Sequence, residues 1–134
     1  MAAAPHEILE RATRIATVGM SADERKPAHR IPRQLLQAGF DIVPVNPEAD
    51  EILGRRAYAT LDEIPGPIDI VEVFRPAEEA PNIARQAVKV GAGAVWLQDG
   101  IVSDDARAIA EDAGLDYVED NCMGSVQAAH DITR

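Results

Sequence analysis

Short apolar runs rich in β-branched residues alternate with alanine-rich segments along the chain, and this alternation restricts the fold more than any other feature. The runs lie at residues 14–19, 41–46, 68–74, 94–98 and 115–119. Near-continuous apolar strands that are separated by helices indicate a parallel sheet covered on both faces. We therefore expect an α/β, Rossmann-like, doubly wound fold with a mainly parallel, five-stranded sheet and helices on both faces.

Helix signals fill the intervals between these runs. Helices are predicted near residues 27–38, near residues 81–90 and after the N-cap candidate Ser103, and each is followed by a glycine. Pro32 falls inside the first of these helices, which we expect to start late or to bend there. A further short helix near residues 6–12 is predicted to pack on the outside.

Size and charge limit the possible classes of protein. With 134 residues, of which 46% are hydrophobic, the chain suits one domain, divided into an N-terminal helix (1–13), a Rossmann-like core (14–124) and a C-terminal tail (125–134). The net charge of −10 argues against nucleic acid and membrane as partners, and a homo-oligomer or a protein partner stays open. A single cysteine, Cys122, and an N-terminus without a long apolar core predict a cytoplasmic protein.

The loop after the first strand has the composition of a phosphate site. In doubly wound sheets, ligands bind at the carboxyl ends of the strands, where the strand order reverses. Gly19 permits a tight turn there, Ser21 offers a hydroxyl, and the next helix directs its N-terminus to the same place. The main local cluster of positive charge follows, at Arg25, Lys26 and Arg30. The alternative is an ordinary turn with solvated basic side chains.

The end of the second strand argues against a nicotinamide dinucleotide. Such sites use an acid there to bind the ribose hydroxyls. The strand ends at Val45, Asn46 and Pro47, while Asp41 lies at its start and Glu48 is a poor substitute. Asn46 is a candidate for a hydrogen bond to ribose or adenine, although Asn-Pro also simply starts a turn.

The remaining strand ends offer weaker candidates. Phe74–Pro76 would hold a flat group and a phosphate, and Gln98–Gly100 would contact a polar chain such as pantetheine; the alternative in both cases is a plain turn. Trp96 is expected in the core. Cys122 follows the fifth strand, but its acidic neighbours argue against an activated thiolate, so a structural cysteine is favoured.

Seven short segments in this order and spacing resemble one family. They are VGMS at 18–21, KP at 26–27, VPVNP at 43–47, ILG at 52–54, DIVEVFRP at 69–76, VWLQDG at 95–100 and NCMG at 121–124. Together they resemble the stand-alone coenzyme A (CoA) binding proteins of the YccU type. That family is similar to the CoA-binding domain of the succinyl-CoA synthetase α subunit and of ADP-forming acyl-CoA synthetases.

The resemblance implies that CoA or an acyl-CoA is the ligand, bound at the carboxyl ends of the strands without catalysis; a regulatory role is open. It implies that the first loop holds the diphosphate, that the second and third strand ends border the adenosine, and that the last two loops face the pantetheine arm. The implied binding residues are Gly19, Met20, Ser21, Lys26, Arg30, Val45, Asn46, Pro47, Phe74, Arg75, Pro76, Gln98, Asp99, Gly100, Asn121 and Cys122. No residue is assigned to catalysis or to a metal.

Three positions depart from the family pattern. Ala28 stands where the family often has serine, and Glu48 to Asp50 stand where the synthetases carry a basic residue, which weakens the expected grip on the 3′-phosphate. The segment after Cys122 lacks the acidic residue typical of the YccU type. Two alternatives remain: an NAD(P)-binding redox sensor or small oxidoreductase, and an orphan structural or interaction domain or one chain of a split acyl-CoA synthetase.

Overall fold

A five-stranded parallel sheet forms the centre of the molecule in the computed structural model, which describes residues 2–134. Its strands are β1 (Arg14–Val18), β2 (Asp41–Val45), β5 (Ile70–Val73), β6 (Ala94–Leu97) and β7 (Asp116–Val118). They lie in the order β2-β1-β5-β6-β7, and every adjacent pair is parallel. A short antiparallel hairpin, β3 (Glu51–Ile52) and β4 (Arg55–Arg56), follows β2.

Five α-helices cover the sheet: α1 (Pro5–Arg11), α2 (Pro27–Gln37), α3 (Ala80–Lys89), α4 (Asp104–Asp112) and α5 (Met123–Ala129). The buried side chains of α3 and α4 belong to the core layer on one face, and those of α1, α2 and α5 to the layer on the other. The expected doubly wound, Rossmann-like fold is thus confirmed.

Strand alternation divides the core between the two faces. Along β5, Val71 faces the α3–α4 layer, while Ile70 joins the layer under α1, α2 and α5. Trp96 on β6 is fully buried in this second layer, as predicted, and its Nε1–H donates to the Asn121 carbonyl at 2.8 Å. This bond ties the loop after β7 to the middle of the sheet.

The helix signals were read correctly to within a few residues. Ser103 caps α4 by accepting a hydrogen bond from the Ala106 N–H at 3.1 Å. Residues 125–134, described from the sequence as a tail, begin inside α5, which packs on α2 through Gln34. Within residues 2–134, the helices are too short or too polar to cross a bilayer.

Candidate functional site

An open cleft of about 800 Å³ lies at the carboxyl ends of β1, β2 and β5. β1 leads to α2 on one face and β5 leads to α3 on the other, so the chain diverges at this edge and leaves a crevice. Its walls are formed by Val18, Gly19, Met20, Ser21, Lys26, Ala28, Val45, Asn46, Pro47, Glu48, Ala59, Thr60, Phe74, Arg75, Glu78, Glu79, Asn82, Ile83 and Gln86. The volume is within the range of small-molecule sites.

Gly19 is required where the first loop passes closest to the neighbouring strand. Its φ is +86°, and a Cβ at this position would lie 2.8 Å from Arg75 Cδ and 3.1 Å from the Phe74 carbonyl oxygen. The Gly19 N–H donates to the Val45 carbonyl at 3.0 Å. The loop is therefore fixed against both adjacent strands, at a position that only glycine can occupy without strain.

Pro32 shapes the same loop from inside α2. Because proline has no N–H, the Ala28 carbonyl four residues earlier loses its helical partner. The Ser21 N–H donates to that carbonyl at 3.1 Å, so the freed acceptor is used to hold the loop against the helix. α2 nevertheless begins at Pro27 and runs through Pro32, and the expected late start does not occur.

Two side chains complete the fixing of the loop. Asn46 Nδ2–H donates to the Met20 carbonyl at 2.9 Å, while Asn46 Oδ1 accepts from the Glu48 N–H at 2.8 Å. His29 lies 2.7 Å from the Ser21 carbonyl through Nδ1. Since a carbonyl only accepts, this nitrogen carries the proton. Asn46, proposed from the sequence as a ligand contact, thus has both side-chain polar atoms bonded within the protein.

The basic side chains at and near the cleft differ in whether a carboxylate of the protein already pairs with them. Arg75 is bonded twice to Glu79, with Nη2–Oε2 at 2.7 Å and Nε–Oε1 at 3.2 Å. This pairing lowers the pKa of Glu79 below its usual value. Arg25 is held by Asp23 outside the cleft lining. Lys26 lines the cleft and takes part in no ion pair within residues 2–134.

The structure gathers one part of the predicted site and leaves another apart. Among the predicted residues, the cleft wall contains Gly19, Met20, Ser21, Lys26, Val45, Asn46, Pro47, Phe74 and Arg75. Outside the wall lie Arg30, Pro76, Gln98, Asp99, Gly100, Asn121 and Cys122. Arg30 is exposed on α2. The assignment of these residues to a ligand stays a prediction.

Gln98 belongs to a buried polar network beneath the strand ends. Its Nε2–H lies 2.5 Å from Glu72 Oε2, and its Oε1 accepts from the Met123 N–H at 3.2 Å at the start of α5. Thr17 Oγ1 is 2.8 Å from Glu72 Oε1. Burial raises the pKa of Glu72 from 4.5 to about 7, against the opposing effect of the Thr17 hydrogen bond. The network links β1, β5 and β6 to α5 under the candidate site.

Cys122 is a half-buried free thiol that precedes α5. Two histidines, His29 and His130, have other partners. His130 stacks on His6 with ring centroids 4.4 Å apart, and His29 is bonded to Ser21. Across the described part of the chain, neither imidazole is hydrogen-bonded to the thiol.

Several cleft residues were missed by the sequence analysis. Asn82 and Gln86 are four residues apart on α3, a spacing that places both on one helix face and was a usable signal. Ala59 and Thr60 reach the cleft because the segment after β4 bridges to β2, where the Asn46 N–H donates to the Tyr58 carbonyl at 2.9 Å. No local sequence pattern predicts this isolated β-bridge.

The sequence profile of the CoA binding domain matches residues 13–128. The chain belongs to the CoA-binding domain family. The resemblance inferred from the sequence is confirmed by this match.

The family includes relatives of similar length to this chain. The protein YneT of Bacillus subtilis is 39% identical over 128 residues, covering 96% of this chain and 93% of YneT. The structure of a hypothetical protein from Pyrococcus horikoshii is 35% identical and superposes with a TM-score of 0.90, covering 93% of this chain and 88% of that one. Both proteins are similar in length to this chain, and the Pyrococcus horikoshii protein has the same fold.

Much larger enzymes contain a related segment. An ADP-forming acetate–CoA ligase of Archaeoglobus fulgidus is 35% identical over 89 residues, which are 64% of this chain and 13% of the ligase. The chain is thus related to the CoA-binding domains of acyl-CoA ligases. It spans only a small part of the ligase's length.

Proposed function

We propose that the cleft binds coenzyme A or an acyl-CoA and that the chain catalyses no reaction with it. The observation that carries this proposal is the position of Lys26. It is a cation without an ion-pair partner in the described chain, beside the first loop, at the point where the strand order reverses. Membership of the CoA-binding domain family supports the identity of the ligand.

The diphosphate of the ligand would lie against the first loop. Lys26 immediately precedes α2, and Ala28, the second residue of that helix, lines the cleft. Pro27 has no N–H and the His29 N–H donates to the Lys26 carbonyl at 3.0 Å, so the Ala28 N–H is the first-turn donor that, with the helix dipole, favours an anion. A lysine ammonium adds a charge-assisted hydrogen bond to a phosphate oxygen. Loop, helix and Lys26 together form a suitable diphosphate site.

The adenosine would lie between the ends of β2 and β5. Val45 and Pro47 form one side and Phe74 the other, while Asn82 and Gln86 offer amide groups along α3. Apolar walls with a few polar groups are what a flat base requires. The pantetheine arm would leave toward Asp99, Gly100 and Cys122, which lie beyond the cleft wall.

NAD is the second candidate because Glu48 lines the cleft after β2. From its place in the sequence, Glu48 is expected to be a poor substitute for the acid of dinucleotide sites. Its place in the wall makes it available to ribose hydroxyls, as such an acid must be. A direct comparison of the two ligands is therefore the decisive measurement.

We expect CoA to raise the melting temperature more than NAD or NADP at equal concentration. At a ligand concentration one hundred times Kd, the added stability is about 2.7 kcal/mol. In calorimetry, Lys26→Ala should weaken CoA binding about tenfold, since a charge-assisted hydrogen bond contributes roughly 1.5–3 kcal/mol. Arg75→Ala should weaken it less, because Glu79 already satisfies that guanidinium.

Lys89→Ala provides the matched control, because Lys89 is exposed at the end of α3 and away from the cleft wall. It should bind CoA like the parent protein. A larger shift with NAD than with CoA contradicts the proposed ligand. Equal losses in Lys26→Ala and Lys89→Ala contradict the proposed diphosphate site. Acyl-CoA hydrolysed or consumed in proportion to protein concentration contradicts the absence of catalysis.

A further inference from the structure

The end of the cleft that follows β2 carries a carboxylate where a phosphorylated ribose needs a cation. Glu48 lines the cleft and its side chain is exposed. Its backbone is fixed, because the Glu48 N–H donates to Asn46 Oδ1 at 2.8 Å and Asn46 in turn holds the first loop through Met20. The carboxylate is therefore carried by the same hydrogen-bonded turn that forms the candidate nucleotide site.

The cleft arginine, Arg75, is already paired with a carboxylate. Arg75 makes two bonds to Glu79, and Glu48 also acts electrostatically on the Arg75 guanidinium. Glu78 lines the same wall. Three carboxylates thus share the cleft with two cations, and of these two cations only Lys26 has no ion-pair partner among the described residues.

The chemistry of these groups separates two forms of adenosine ribose. A carboxylate at the end of the second strand accepts hydrogen bonds from free ribose hydroxyls, whereas an arginine or lysine is needed beside a ribose phosphate. A 3′-phosphate monoester would bring up to two negative charges to Glu48, while Arg75 is paired with Glu79 and Lys26 is assigned to the diphosphate. Like charges placed together in a binding site lower affinity and exclude the wrong ligand.

We propose that the cleft selects an adenosine ribose without a 3′-phosphate, so that among CoA-type ligands it binds 3′-dephospho-CoA in preference to CoA. This inference rests on the proposed function, since it concerns the ribose of the same ligand. Glu48 is the residue that determines the preference, and Arg75 is prevented by Glu79 from reversing it.

Isothermal titration calorimetry with CoA and 3′-dephospho-CoA tests the proposal. The parent protein should bind 3′-dephospho-CoA about tenfold more tightly, a factor that corresponds to roughly 1.4 kcal/mol. The ratio should shrink as salt is raised, because the unfavourable term is a screened repulsion. Glu48→Gln should bring the two affinities together, and Glu48→Lys should make CoA the tighter ligand.

Glu51→Lys is the matched control, since Glu51 is exposed on β3 and outside the cleft wall. It changes the net charge equally and should keep the parent's ratio. Equal or tighter binding of CoA by the parent protein overturns this inference and leaves the proposed function intact. An unchanged ratio in Glu48→Lys also overturns it. Absence of binding by both ligands overturns the proposed function and the inference with it.

Discussion

Glu72 should make the stability of the protein fall as the pH rises from acid to neutral. Its side chain is fully buried, with one carboxyl oxygen 2.8 Å from Thr17 Oγ1 and the other 2.5 Å from Gln98 Nε2. Desolvation penalises the charged form, and it raises the pKa from 4.5 in an exposed carboxyl to about 7. The folded state therefore holds a proton that the unfolded chain has already released.

The sign and size of the effect follow from this difference. Between pH 4.5 and about pH 7 the folded state binds more protons than the unfolded state, so the free energy of unfolding falls with rising pH. A difference of about 2.5 pH units corresponds to roughly 3 kcal/mol at 1.36 kcal/mol per unit. The contribution of Glu72 is fully present below pH 4.5 and is lost above pH 7.

Glu72→Gln should remove this pH dependence without disturbing the network. The new amide oxygen accepts from Gln98 Nε2, and the new amide nitrogen donates to Thr17 Oγ1, which accepts as readily as it donates. The variant should match the parent near pH 4.5 and be more stable by up to about 3 kcal/mol at pH 8.

Urea unfolding followed by circular dichroism, at intervals from pH 4.5 to pH 8.5, measures both proteins. Glu63→Gln serves as control, because Glu63 is exposed in the short 3-10 helix after Thr60 and should retain the parent's profile. A parent whose stability is flat across this range refutes the reasoning. So does a Glu72→Gln variant that loses stability with pH as steeply as the parent.

Two further substitutions test the first loop and the thiol. Gly19→Ala should destabilise the fold by about 1–3 kcal/mol and weaken ligand binding, since its Cβ meets Arg75 and the Phe74 carbonyl. Gly114 has a similar positive φ but open space around it, so Gly114→Ala should show only the cost of backbone strain. Equal losses of stability of the two variants in urea unfolding would contradict the role of the close contact at Gly19. Cys122→Ser should keep most of its CoA affinity, and the parent should form a disulfide adduct with CoA only when an oxidant is added. Intact-mass spectrometry checks this, and rapid acylation of Cys122 by an acyl-CoA would overturn the non-catalytic assignment.

The sheet was predictable because its signals are local. The three strands β2, β5 and β6 are mainly apolar and buried on both faces, and each major helix is followed by a glycine with positive φ, as at Gly39 and Gly91. The β3–β4 hairpin escaped prediction, since strands of two residues have no periodicity to detect. Its turn contains Leu53 at a φ of 53°. Leucine rarely adopts this left-handed conformation, so the sequence does not predict the turn.

The candidate site was predictable only where strand ends form it. Gly19, Asn46 and Phe74 share one sheet edge because parallel strands all end there, so their proximity follows from the fold class. Gln98 also follows a strand, but side-chain alternation places it on the face of Trp96 and Glu72, away from the cleft. Applying that period of two would have assigned Gln98 to the buried network from the sequence.

Pro32 illustrates how a local rule acquires a functional meaning only in the tertiary structure. From the sequence, a proline inside a helix indicates a missing hydrogen bond and a bend. In the structure, the unpaired Ala28 carbonyl accepts the Ser21 N–H at 3.1 Å, and the His29 ring accompanies it by donating to the Ser21 carbonyl at 2.7 Å. The free Ala28 carbonyl in α2 thus holds the Ser21 N–H, and the neighbouring His29 side chain holds the Ser21 carbonyl. A helix without Pro32 would satisfy Ala28 internally and leave the Ser21 N–H to compete for it.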